Sequence, residues 1–552
     1  MYPKKELAQL VVSACGHYHV DSVIISPGSR NAPLTVGFSN YPGIKTYSLV
    51  DERCAAFFAL GIAQQTKKPA AIVCTSGSAL LNYYPAIAEA FYSRIPLLII
   101  SADRPKHLID IGDGQTIRQE YVFNNHILFS ANLKEDKEKK SENIQLLSVA
   151  VKKAIEGKGP VHINIPFDEP LYETVDIIGD FDFPKLIQGQ EILNFQYDTA
   201  VNVWNESMKI MILVGENFPS EEVNKCLEEY FSDEKVIILT ETISNIYHPN
   251  IINSIDQVIT PFTEKDFEVF KPELLITFGG MVVSKRIKQF LRKYSPKHHW
   301  HIDESRAMNT YFCLTAHITL KPERFFSEFY ELVKKKETKS TYQRSWLEVK
   351  AERKERHIQF LKNVAYSDLG ACEIILSSIP DHCQLQISNS SVIRYTQLFD
   401  LNPTLKVFCN RGTSGIDGST STAVGAAVES KKQTVFVTGD ISFYYDSNAL
   451  WNSYIPKSFR IIILNNSGGG IFKIIPGPQS TNVLNYFETP HDLTAEYLAK
   501  TYGFGYRSVF NKKELNSSLA DFYQESGQPE ILEVFTPSDI NDVILKEYFK
   551  NL

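Results

Sequence analysis

Short apolar runs alternate with longer amphipathic stretches along most of the chain. DSVIIS (21–26), KTYSLV (45–50), AAIVCTS (70–76) and PLLIISA (96–102) are short, continuous and rich in Val and Ile, as buried strands are. ERCAAFFALGIAQQ (52–65) and SALLNYYPAIAEAFYS (78–93) lie between them and have helical length. This alternation predicts βαβ units on a parallel sheet. GPVHINIPFDEPLY (159–172) reads as the last strand and exit of the unit.

The pattern then repeats twice. KIMILVGE (209–216), KVIILTET (235–242), ELLITFGG (273–280) and HHWHID (298–303) are the expected strands of a second region. CQLQISN (383–389), LKVFCN (405–410), QTVFVTGD (433–440), FRIIILNN (459–466) and PEILEVFT (529–536) are those of a third. KKKETKSTYQR (334–344) has no apolar period and reads as a surface segment or linker. The expectation is an α/β protein with three tandem Rossmann-like, doubly wound domains, spanning 1–180, 190–335 and 345–552. No short-period repeat supports a solenoid or propeller.

The length of 552 residues fits several domains of ~150 residues each. Hydrophobic residues at 43% and charged residues at 22% allow a large core. A net charge of −7 argues against a general nucleic-acid or anionic-membrane binder but leaves room for a local basic pocket. None of the eight cysteines forms a C-x-x-C pair, so zinc-ribbon and thioredoxin readings lack support. Several, such as Cys74, sit in apolar runs and read as buried free thiols in a reducing cytosol. No run approaches the ~18 apolar residues that span a bilayer. Glu6, Gln9, His17 and His19 interrupt the first segment, which reads as an amphipathic helix rather than a signal peptide. A cytoplasmic location is expected.

One strand ends in Gly439-Asp440 and the next clear strand ends in Asn465-Asn466, followed by Ser467 and three glycines. Ligands of parallel sheets bind beyond the carboxyl ends of strands, so Asp440 and Asn466 are expected on one side, at neighbouring ends. A carboxylate and an amide oxygen suit Mg²⁺, a cation that also grips phosphate. The glycines let the backbone approach a diphosphate. Two ordinary helix caps are the competing reading; the pairing 26 residues apart, each on a strand end, favours a ligand site.

The pair resembles the signature of thiamine-diphosphate enzymes. That resemblance implies thiamine diphosphate and Mg²⁺ (or Mn²⁺), the metal being held by Asp440, Asn466 and the Gly468 carbonyl. It also implies a carboxylate on the 1′ nitrogen of the aminopyrimidine. Glu52, between a strand and an apolar helix, holds the matching position; alone it would read as an acid favouring the helix dipole.

More fragments narrow the resemblance. ISPGSR (25–30), NAPLT (31–35), DER (51–53), TSGS (75–78), ADRP (102–105) and QTIR (115–118) are similar, in order, to one branch of these enzymes. So are Asn389-Ser390 through Arg394, NRGTSGIDG (410–418), GDIS (439–442) and Asn465 to Phe472. This branch joins 2-oxoglutarate to isochorismate in menaquinone biosynthesis. It decarboxylates the first and adds the succinyl-semialdehyde carbanion to the second in 1,4 fashion. The familiar Gly after Gly-Asp is Ile441 here, and a residue other than Gly is usual in this branch. Gly114 departs from the Asn often found before Gln115.

The resemblance implies cofactor contacts from Pro27, Glu52, Thr75, Asn389 and Ser390. It adds Ser414, Gly415, Ile416 beneath the cofactor, Gly439, Asp440, Ile441 and Ser442, then Asn466, Gly469 and Ile471. It implies substrate contacts from Ser29, Arg30, Arg104, Gln115, Lys285, Arg286, Ser390, Arg394, Arg411 and Phe472. It implies a homodimer or homotetramer with active sites at the subunit interface. It implies Glu52 as the catalytic residue.

The physics agrees, because both substrates are dicarboxylates and arginine suits fork-like carboxylate binding. The matched motifs supply Arg30, Arg104, Arg118, Arg394 and Arg411, and GGMVVSKRIKQF adds Lys285-Arg286. Lys288 and Lys293 read instead as solvated helix charges. His17, His19, His298, His299 and His301 read as core or surface residues, and Tyr83-Tyr84 and Tyr444-Tyr445 as packing. The middle region lacks G-x-G-x-x-G, so nothing argues for NAD or FAD. An acetohydroxyacid synthase or 2-oxoacid decarboxylase would share Glu52 and the metal pair without needing these bases. A scaffold with decayed sites fits poorly with intact Glu52, Asp440 and Asn466.

Overall fold

The computed structural model describes residues 1–185, 195–334, 339–475 and 477–552. It contains three six-stranded sheets, every pairing in them parallel. The first holds β1 (Ser22–Ile25), β2 (Lys45–Ser48), β3 (Ala70–Cys74), β4 (Leu97–Asp103), β5 (Ser130–Asn132) and β6 (Val161–Pro166). The second holds β7 (Ile210–Val214), β8 (Val236–Leu239), β9 (Ile251–Ile252), β10 (Leu274–Phe278), β11 (His298–Ile302) and β12 (Ala316–Ile318). The third holds β13 (Gln384–Ile387), β14 (Lys406–Cys409), β15 (Thr434–Gly439), β16 (Arg460–Asn465), β17 (Gly505–Val509) and β18 (Glu530–Phe535).

The first and third sheets share one topology, β2-β1-β3-β4-β6-β5 and β14-β13-β15-β16-β18-β17. The middle sheet runs β9-β8-β7-β10-β11-β12, the order that puts a ligand crevice where the chain reverses. The expected tandem α/β architecture is present. Four strands of these three sheets escaped the sequence reading: β5, β9, β12 and β17. Each is an edge strand. An edge strand pairs on one side only and needs no continuous apolar run.

Five helices matter below: α1 (Glu52–Thr66), α2 (Tyr84–Ser93), α3 (Lys285–Lys293), α4 (Tyr342–Asn363) and α5 (Ser419–Glu429). The helix expected over 78–93 is broken into Ala79–Asn82 and α2, because Pro85 can sit only in a first turn. The segment read as a linker corrects at its end. Tyr342 is buried, its hydroxyl donates to Phe270 O at 2.9 Å, and it opens α4. Residues 335–338 of that segment lie outside the described residues.

One apolar core runs through both outer domains, joining Phe57 and Phe58 of α1 to Val424 and Phe436. The link is a close crossing of α1 and α5. A Cβ on Gly61 would lie 2.1 Å from Thr422 O, and one on Gly425 2.0 Å from Phe58 O. Only glycine lets the two backbones meet there. Among the described residues no helix is long and apolar enough to cross a membrane.

Candidate active site

β15 and β16 are adjacent and parallel, so Asp440 and Asn466 emerge side by side. A cavity of about 440 Å³ opens there, lined by both residues. Asp440 is 3% exposed; its carboxylate accepts from Ile441 N at 2.7 Å and from Gly468 N at 2.9 Å. Asn466 donates its amide N–H to Asp368 Oδ2 at 2.8 Å. That bond fixes the amide's orientation and leaves Asn466 Oδ1 buried without a partner among the described residues. Asp368 also accepts from Thr536 Oγ1 at 2.6 Å, and burial pushes its carboxyl up to about 6. Gly468 has φ +153°, and a Cβ there would lie 2.9 Å from Glu488 O. His491 Nε2 stands 3.3 Å from Asp440 Oδ2, a contact that raises the ring's pKa.

The loops around the cavity are tied to one another. Asn389 donates to Asn410 O and Gly415 O, both at 2.7 Å, and accepts from Arg411 Nη1 at 2.6 Å. Ser442 Oγ donates to Ile416 O at 3.3 Å. Ser390 has φ +74° and ψ −128°, a conformation that non-glycine residues hold only under constraint and that clusters at functional sites. Glu89 reaches across from α2 of the first domain. It accepts from Gly412 N and Thr413 N at 2.7 Å each and from Thr413 Oγ1 at 2.8 Å. Asn389, Ser390, Ser414 and Ile416 line the cavity, as do Gly439, Ile441, Ser442, Gly469 and Ile471. Gly415 stands just behind, its carbonyl held by Asn389.

Four cations line the same cavity: Lys285, Lys288, Arg394 and Arg411. Arg394 Nε and Arg411 Nε are buried without partners among the described residues. Burial, then Arg411, lowers the Arg394 pKa. Glu241 holds the turn before α3, accepting from Val283 N at 2.6 Å and Ser284 N at 2.7 Å. Lys285 and Lys288, three residues apart, share one helix face. The reading of Lys288 as a solvated charge is corrected: it is half-buried and lines the cavity. Arg286 points elsewhere, exposed, with its guanidinium 5.2 Å from the Phe549 ring centroid. Phe472 lines the cavity beside Phe487.

A second group of expected residues sits at the carboxyl ends of the first sheet. Pro27, Ser29 and Arg30 follow β1, Glu52 opens α1 after β2, Thr75 follows β3 and Arg104 follows β4. Gln115 has φ +54° and its backbone abuts Gly77. None of these lines the 440 Å³ cavity. Pro27 lines a separate cavity of about 420 Å³, with Tyr47 and Tyr454. Arg30 is buried, donates to Phe167 O at 2.8 Å and pairs with Glu169 at 3.1 Å. Arg104 stands 3.7 Å from Asp113. Arg118 is exposed and pairs with Asp110 at 2.8 Å. Burial raises the pKa of the half-buried Glu52 carboxyl. Thr75 Oγ1 is buried without a partner among the described residues.

Three family models match in order along the chain. They are the N-terminal TPP binding domain of thiamine pyrophosphate enzymes (5–126), their middle domain (186–387) and their C-terminal TPP binding domain (389–534). A Flavobacterium johnsoniae protein named 2-succinyl-5-enolpyruvyl-6-hydroxy-3-cyclohexene-1-carboxylate synthase is 55% identical over 558 residues, covering 100% of both chains. Its Bacteroides thetaiotaomicron namesake is 38% identical, covering 100% of this chain and 99% of its own. The chain belongs to the 2-succinyl-5-enolpyruvyl-6-hydroxy-3-cyclohexene-1-carboxylate (SEPHCHC) synthase family.

In this member of the SEPHCHC synthase family, several polar residues that brace the cavity from outside its lining gave no sequence signal. Asp368 and Asn466 are 98 positions apart, and Glu89 and Gly412 are 323 apart. Only the fold brings them together. His491 lies in no matched motif. His299 and His301 are buried and share Thr277 Oγ1, at 2.8 and 2.9 Å. Tyr83 packs in the core, whereas Tyr445 is exposed under the Arg53 guanidinium.

Proposed function

We propose that the chain binds thiamine diphosphate with Mg²⁺ (or Mn²⁺) and joins 2-oxoglutarate to isochorismate in menaquinone biosynthesis, releasing CO₂. The observation that carries this reading is one cavity joining an unpartnered amide oxygen and a buried carboxylate to four cations. The residues fit the cofactor. Asp440, Asn466 Oδ1 and the Gly468 carbonyl are hard oxygen donors suited to a phosphate-gripping divalent cation. Gly439, Ile441, Ser442, Gly469 and Ile471 would border the diphosphate, and Asn389, Ser390, Ser414, Gly415 and Ile416 the ring portion. Bound thiamine diphosphate supplies the electron sink that 2-oxo acid decarboxylation needs.

Glu52 would hydrogen-bond the aminopyrimidine, with Pro27 and Thr75 nearby. Desolvation favours its protonated form, which suits a proton held at the carboxyl oxygen. Lys285, Arg394 and Arg411 would hold substrate carboxylates with Ser390, and Phe472 would close one wall; Arg286 lies outside the cavity lining. Ser29, Arg30, Arg104 and Gln115 would serve from the first domain.

Glu52 and Asp440 would serve one cofactor, yet they lie on different domains and Glu52 does not line the cavity that holds Asp440. The complete site therefore forms between two copies, in a homodimer or homotetramer. Eight free cysteines, six of them buried, fit a cytoplasmic enzyme. The test is product analysis with both substrates, thiamine diphosphate and Mg²⁺. The reading expects one CO₂ per isochorismate consumed. Decarboxylation without isochorismate loss would point to another thiamine enzyme, and no turnover at all would overturn the reading.

A further inference from the structure

α3 carries two cations on its cavity face, and the sequence resemblance accounts for one of them. Lys288 is half-buried and lines the cavity. Its ammonium has no hydrogen bond or ion pair with any described residue. Burial lowers its pKa first; of the charges that act on it, Glu241 favours the ammonium and Arg411, Arg292 and Arg394 oppose it. Glu241 is already occupied by the Val283 and Ser284 amides. Lys288 is thus partly desolvated under the influence of like charges, an arrangement that an incoming anion relieves. It also borders a smaller void of about 40 Å³, with His301 and Tyr311. That void has room for a few waters only. The ligand-sized partner of Lys288 must come from the large cavity.

We propose that Lys288 is a carboxylate-binding residue, forming with Lys285, Arg394 and Arg411 a subsite for a substrate carboxylate that survives the reaction. The inference rests on the functional reading above. The carboxylate beside the 2-oxo group leaves as CO₂ and gains nothing from a lasting grip. The distal carboxylate of the 2-oxo diacid, or a ring-substrate carboxylate, remains throughout. An ammonium beside a guanidinium fork supplies a point charge next to paired N–H donors, which suits a carboxylate with both oxygens engaged.

The experiment compares Lys288→Met, Lys288→Arg and Lys293→Met holoenzymes in steady-state kinetics with each substrate varied. Lys293 is exposed and pairs with Glu264 at 2.7 Å, so its variant is the control. Lys288→Met is expected to raise KM for one dicarboxylate by about 10- to 150-fold, with a smaller change in kcat. Lys288→Arg should recover most of the loss, and Lys293→Met should match the wild type. A fall in selectivity for 2-oxoglutarate over 2-oxopentanoate assigns the subsite to the oxo acid; a rise confined to isochorismate assigns it to the ring substrate. Unchanged KM for both in a folded Lys288→Met protein overturns the inference. If that variant does not fold, Lys288→Gln carries the same expectation. Calorimetric titration with succinate separates the two readings. Should the wild type make no product, weaker succinate binding by Lys288→Met still upholds the subsite, whereas equal binding removes it.

Discussion

At the scale of single residues, the proposed metal site would depend on a carboxylate that does not itself touch metal. Asp368 takes the Asn466 N–H and so leaves the buried amide oxygen without a partner among the described residues. Partners of this kind typically change metal affinity by about 10- to 100-fold. Asp368→Ala is therefore expected to weaken Mg²⁺ binding by about that factor in a calorimetric titration with thiamine diphosphate present. Unchanged affinity would remove Asp368 from the account. Asp440 and Asn466 were legible because each follows an apolar strand directly. Asp368 was not, since its role exists only where three distant segments meet. Lys288 was misread for a related reason: a lysine's spacing on a helix does not say whether water or a cavity lies beside it.

At the scale of elements, the α1–α5 crossing fixes the first domain against the third. Gly425→Ala would place a methyl 2.0 Å from Phe58 O, so the helices must separate. Overpacking of this kind costs about 1–3 kcal/mol. The expected result is a melting temperature lowered by a few degrees; an unchanged one would show that the crossing yields freely. The central strands were legible because they are apolar on both faces. Edge strands such as β9 and β12, two and three residues long, were not. Pro85 was visible, but only the structure shows that the chain restarts a helix there.

At the scale of the whole molecule, buried acids make stability depend on pH. Burial pushes Glu216 up to about 8, and Glu241 and Asp446 up to about 7. An unfolded Glu titrates near 4.5. Between these values the folded chain keeps protons that the unfolded chain releases, so stability falls as pH rises. Glu216→Gln should flatten the fall between about pH 4.5 and 8 in denaturant titrations of the apo protein. An identical slope would mean that Glu216 is ionised in the folded state. The central claim is that two copies complete one thiamine-dependent site, and a mixing experiment tests it most directly. Glu52→Gln and Asp440→Ala are each expected to be inactive alone. Mixed by co-refolding, they form heterodimers with one intact site, and statistical pairing gives about a quarter of wild-type activity. No recovery from a mixture that has demonstrably exchanged subunits would contradict the account.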